Sequence, residues 1–184
     1  DHPLRVATAR RLMAANLEKL GAKLLPAALR LADEIDPTLR MLGANVLAKA
    51  ALPEHVPILL HMLQEEARGQ QPQAIEALGR IRDKRSIQPM ADLIASGSEA
   101  SAAAAEALSD FGPVVEEAAL RLLKEKHAET RRQACRILLK SGTAKSLEAL
   151  QAIVATGIPN LVPNATEAIQ AIRTRGEQAA KVLF

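Results

Sequence analysis

Tryptophan and tyrosine are absent from this sequence of 184 residues, and phenylalanine occurs only at Phe111 and Phe184. Cores usually take much of their volume from aromatic rings. Here Leu, Ile, Val and Ala must fill it, which suits thin layers of closely packed helices. The same lack removes the stacking platforms that hold single-stranded nucleic acid. A lone cysteine, Cys135, rules out an internal disulfide. It fits a reducing compartment, so a cytoplasmic location is expected. Apolar runs of about 18 residues are missing, so no membrane insertion is expected. The glycines sit in separate turns (LGA, RGQ, SGS, FGP, SGT, TGI), without the clustering that cradles phosphates. Of the four histidines, His55 and His61 are the nearest pair. They lie six apart across Pro57, not at the i, i+4 spacing that sets two metal ligands on one helix face. No metal, cofactor or catalytic residue is expected.

What is present is a period. Leu12, Leu47, Leu78, Leu108, Leu138 and Ile169 are separated by 35, 31, 30, 30 and 31 residues. Leu60, Met90, Leu120 and Leu150 keep a spacing of 30, as do Leu63, Leu93, Leu123 and Ile153. Three registers sharing one period mark a repeat protein. Within each repeat the apolar residues fall at i, i+3, i+4 and i+7, as in Ala104, Ala107, Leu108 and Phe111, the stripe of an amphipathic helix. Gly112-Pro113 and Ser141-Gly142 read as turns between two helices, and Asp36-Pro37 as an N-cap followed by proline at the first helical position. Alternating β-branched runs are missing, so no sheet is expected.

The units are therefore helix–turn–helix pairs, placed at 1–35, 36–69, 70–98, 99–128, 129–158 and 159–184. In the last, the prolines of GIPNLVPN argue against a helix start before about Asn164. The sequence begins at Asp1 without Met and stops in the apolar KVLF, so both ends read as cut from a longer protein.

Segments such as DPTLRMLGANVLAKA, followed by EHVPILLHMLQEEA, resemble HEAT repeats, in particular the short type of bilin-lyase-like HEAT proteins. Their first helix reads roughly D-P-x-V-R-x-x-A-x-x-A-L. Arg5, Arg40 and Arg131 take the Arg position of that pattern, while Gln71, Ser101 and Val162 replace it elsewhere, so an interrupted polar ladder is expected. The resemblance implies an all-α fold, an α-solenoid wound as a right-handed superhelix of about six repeats. It specifies fold far more than function.

Cys135 lies among Arg131, Arg132 and Arg136, but it holds the slot filled by Ala44, Ile75 and Ala105 in other repeats, so a packing role is expected. Charge says more. Between Arg121 and Lys145 there are eight cations against two anions, a local excess of +6 where the whole chain carries +3. Lys124, Arg131, Arg132, Arg136 and Lys140 are candidates for binding an anion, and Arg80, Arg82, Lys84 and Arg85 form a smaller basic cluster. By the resemblance, second helices line the inner face of such arrays. That row contains His61, Ala91, Arg121 and Gln151, then Gln64, Ile94, Lys124 and Val154.

Three functions follow as expectations. The leading one is a non-catalytic scaffold that binds a protein or peptide partner, or other domains of its parent chain, through His61, Gln64, Arg121, Lys124 and Gln151. The alternative is nucleic-acid or polyanion binding through Arg121–Lys145. A bilin-lyase-like or DNA-glycosylase-like activity rests on fold analogy alone.

Overall fold

The computed structural model describes residues 23–64 and 69–182. Among them there is no strand. The helices are α1 (23–32), α2 (Pro37–Ala50), α3 (Val56–Gln64), α4 (Gln71–Ile81), α5 (Ile87–Ala95), α6 (Ser101–Ser109), α7 (Glu116–Leu122), α8 (Ala128–Ser141), α9 (Leu147–Ala155) and α10 (Val162–Val182). Arg5, Leu12 and the rest of 1–22 lie outside the described residues.

Local chemistry sets the helix ends. Asp36 caps α2, its Oδ1 accepting from the backbone N–H of Thr38 (2.8 Å) and Leu39 (3.0 Å), with Pro37 in the first turn. A single 3₁₀ turn leads into each second helix, at Pro53–His55, Lys84–Ser86, Gly112–Val115 and Ala144–Ser146. Gly97 and Gly157 follow α5 and α9 with φ of 72° and 67°, a left-handed conformation that glycine adopts without penalty.

The chain divides into two compact units, residues 1–83 and 84–184. In the N-terminal unit α2 and α3 both pack on α4. Gly43 brings α2 against α1, since a Cβ built there would sit 2.4 Å from the Ala32 nitrogen and 2.5 Å from the Ala28 oxygen. The core is aliphatic, built from Leu25, Ala28, Val46, Leu47, Leu59, Met62 and Leu78. In the C-terminal unit α6, α8 and α10 pack in series, with α5, α7 and α9 beside them.

The first register holds at Leu47, Leu78, Leu108 and Leu138, all fully buried, and fails at Ile169, which is half-buried. The second does not hold evenly, because Met90 and Leu150 are buried whereas Leu60 and Leu120 are half-buried. The first helices thus bury the same leucine in each of these repeats, whereas the second helices differ in which register residue they bury.

The expected ladder also differs from its sequence reading. Arg40 donates to the carbonyls of Glu34 (3.0 Å) and Ile35 (2.9 Å), Gln71 to Leu63 (2.8 Å), and Ser101 to Ser98 (2.5 Å) and Leu93 (3.3 Å). Gln71 and Ser101 thus reach a carbonyl in the last turn of the preceding helix, while Arg40 and Ser101 bind carbonyls of the loop before their own helix. The ladder is interrupted further on, since Val162 has no donor and the buried Arg131 Nε has no partner among the described residues. Arg80, from the smaller basic cluster, reaches the Ala48 and Ala51 carbonyls at the end of α2. Arg175 does the same for Leu139 and Gly142 at the end of α8.

The segment 159–184 is not a helix pair where it is described. It forms one helix of 21 residues, starting at Val162 rather than Asn164. Pro163 sits in the first turn, where its missing N–H would have no intrahelical partner anyway. The slots that hold buried Cys135 and Leu138 in α8 hold exposed Thr166 and half-buried Ile169 in α10.

Candidate functional site

The inner row that the resemblance implies is only partly exposed. His61 and Gln64 on α3, Arg121 on α7, Lys124 just after it and Gln151 on α9 all face solvent. Ala91 and Ile94 do not: α5 turns them into the core with Met90, so these two members of the expected inner row are not on the surface. Each unit must therefore be read separately.

In the C-terminal unit many of the exposed polar groups satisfy one another. Arg121 donates to Gln88 on α5 (2.7 Å) and pairs with Glu117 (3.1 Å), and Gln88 in turn donates to Asp92 (2.6 Å). The basic segment behaves likewise. Arg132 pairs with Glu129 at 2.6 Å, Arg136 with Glu106 at 3.0 Å, and Lys140 with Glu106 at 3.1 Å and Asp110 at 3.3 Å. The Arg132 hydrogen bond holds the Glu129 carboxyl below its ordinary range, and Glu106 and Asp110 push the Lys140 ammonium up. Of the five anion-binding candidates, three are engaged with acids and Arg131 is half-buried, leaving Lys124 exposed.

Glu116 is buried between α7 and the start of α9. Burial alone would raise its pKa. Hydrogen bonds from Ser146 (2.5 Å), the Thr143 N–H (2.7 Å) and the Thr143 hydroxyl (2.9 Å), with the charge of Lys145, outweigh that and hold it low. Cys135 is buried and its thiol is pushed up to about 11 by desolvation, so it stays a protonated packing residue. Among the described residues no group of three or more His, Cys, Asp or Glu is placed to hold a metal ion, and no helix is long and apolar enough to cross a membrane.

The N-terminal unit offers a different surface. An open groove of about 920 Å³ runs between α1 and α3, with an apolar floor and wall of Leu29, Ile35, Pro57, Ile58 and Met62. Arg30, Asp33, Glu34 and His61 stand around it. Gln70, itself buried, closes the base by donating to the Ala32 carbonyl at 2.9 Å. Ile35 is 93% exposed. Position matters here: Ile35 directly precedes the N-cap Asp36, where an apolar side chain commonly packs on the fourth helical residue as a staple. That fourth residue is Arg40, whose guanidinium instead binds the carbonyls of Glu34 and Ile35. The staple cannot close, so the isoleucine stands free on a pinned loop. An apolar residue before an N-cap with Arg four places on was the available sequence signal, and the spacing argument missed it.

Residues 23–109 match the family model for HEAT repeats. Arrays of such repeats are generally protein-interaction scaffolds and typically non-catalytic. Among solved structures, the chain is similar to an engineered protein from the Northeast Structural Genomics Consortium. The identity is 19%, the match covers 95% of this chain and 92% of that one, and the TM-score is 0.58. A likeness at that identity concerns the fold alone. A comparison with curated proteins finds no match.

Proposed function

We propose that this chain, which matches the HEAT-repeat model over residues 23–109, is a non-catalytic scaffold whose protein partner docks on the groove of the N-terminal unit. The single observation that carries this reading is Ile35, a large apolar side chain 93% exposed beside an apolar groove. His61 belongs to that groove and Gln64 follows it on α3. Arg121 and Gln151 flank a surface whose charges are already paired, so they contribute the rim at most. The division into repeats at 36–69, 70–98, 99–128 and 129–158 is part of the same proposal, and the helix ends support it.

The test is capture of a partner by proximity labelling, followed by affinity measurement on two double variants. His61→Ala with Gln64→Ala is expected to weaken the complex several-fold, and Arg121→Ala with Gln151→Ala to change it by less than about twofold. The reverse order would move the site to the C-terminal unit. Polyanion binding has less support, because Arg132, Arg136 and Lys140 already have acidic partners.

A further inference from the structure

Resting on the scaffold reading, we infer that the α1–α3 groove takes a short amphipathic helix that presents an apolar pair to Ile35 and Ile58 and a Lys or Arg to Glu34. Size supports this occupant. Two helical turns, roughly 10 Å across and 11 Å long, occupy close to the volume of the groove. Apolar anchors at i and i+3 or i+4 are how such helices seat in grooves.

Preorganisation supports it as well. The carbonyls of Glu34 and Ile35 are held by Arg40, and the next residue, Asp36, is tied down as an N-cap. The Ile35 side chain is therefore presented on a loop that needs no ordering on binding, which removes part of the usual entropic cost of association. Met62 lines the groove beneath, and a thioether adapts to the shape of what covers it.

Charge sets the sign of the partner. Glu34 sets a carboxylate at one end of the groove, while the nearby cations are turned onto backbone carbonyls, Arg40 onto Glu34 and Ile35 and the Arg30 Nε onto Pro26 at 3.3 Å. Acidic rims favour a cationic partner in both encounter and register.

The experiment is selection of displayed random 12-residue peptides on the full chain. Enriched peptides are then measured by fluorescence anisotropy against wild type, Ile35→Glu, Glu34→Lys and Val114→Glu. Val114 is a control, an exposed apolar residue of the C-terminal unit. The expected peptides carry an apolar pair at helical spacing and at least one Lys or Arg. Ile35→Glu should weaken them by about tenfold or more, Glu34→Lys by about fivefold, and Val114→Glu not at all.

Acidic peptides, or peptides indifferent to Ile35→Glu, would overturn the inference. So would self-association lost in Ile35→Glu, which would make the occupant a second copy. A carbodiimide crosslink from Glu34 to Lys19 in the monomer would give the groove to the chain's own N-terminal segment. If no peptide is enriched while a natural partner still requires His61 and Gln64, this inference fails and the scaffold reading stands.

Discussion

Helices α3 and α7 hold the same place in their repeats and bury equivalent faces, yet their surfaces have opposite character. The sequence of α3, VPILLHMLQ, contains no carboxylate, Lys or Arg, and its neighbourhood is an open apolar groove. The sequence of α7, EEAALRL, is rich in charge, and the surface around it is a closed set of ion pairs and amide bonds. Charge density, which drew attention to the C-terminal unit in the sequence, turns out to measure how well the helices there are tied together. Exposure of an unpaired apolar side chain is the better pointer to a docking surface, because leaving it in water has no structural return.

If both units are built on one register, equivalent leucines should matter alike. Leu47→Ala and Leu108→Ala are each expected to cost about 2–5 kcal/mol by chemical denaturation, since both side chains are fully buried. A loss below about 0.5 kcal/mol at either would break the equivalence.

A smaller effect separates the units by their glycines. Gly43→Ala should destabilise by about 1–3 kcal/mol, because the new methyl meets the backbone of α1, which cannot give as a side chain would. Gly176 in α10 meets nothing within 4 Å, so Gly176→Ala should stabilise by about 0.4–1 kcal/mol in the same assay. Opposite signs sharpen the comparison; two losses would mean that α10 is more tightly held than its exposure implies.

A further comparison concerns acid. Glu116 has its pKa lowered from 4.5 in the folded chain, so its stabilising contribution is complete above that value and lost as pH falls through the lower folded one. Glu116→Gln should cost about 1 kcal/mol at neutral pH and flatten the decline in urea midpoint below about pH 4.5. An unchanged acid slope would show that the Thr143 and Ser146 contacts do not persist in solution.

How much of this was legible beforehand depends on which side of a helix a residue occupies. Leu78, Leu108 and Leu138 could be placed by spacing alone, since a fully buried slot must be filled by the same kind of residue each time. Met90 and Leu60 share a spacing and differ in burial, because helix rotation is set by neighbours that a single helical period does not encode. The basic stripe Arg132, Arg136 and Lys140 was correctly put on one face, but its partners Glu106 and Asp110 lie on another helix. Reading the repeats against each other, slot by slot, would have paired them. Ile35 was passed over because it falls in a turn, outside every periodic pattern.

The Glu116 contact has a consequence for how such a chain can grow. Glu116 and Ser146 hold the same slot in successive repeats, 30 residues apart, and one accepts what the other donates. Leucine slots are indifferent to sequence order, since any leucine layer fits against any other. A slot that pairs an acceptor with a donor is not. Duplicating the repeat 99–128 in place would set one carboxylate against its own copy, with no hydroxyl between them. Exchanging it with the repeat 129–158 would reverse the order in which acceptor and donor follow one another. The contact thus works as an address, fixing which repeat follows which in an array whose core alone would permit any permutation.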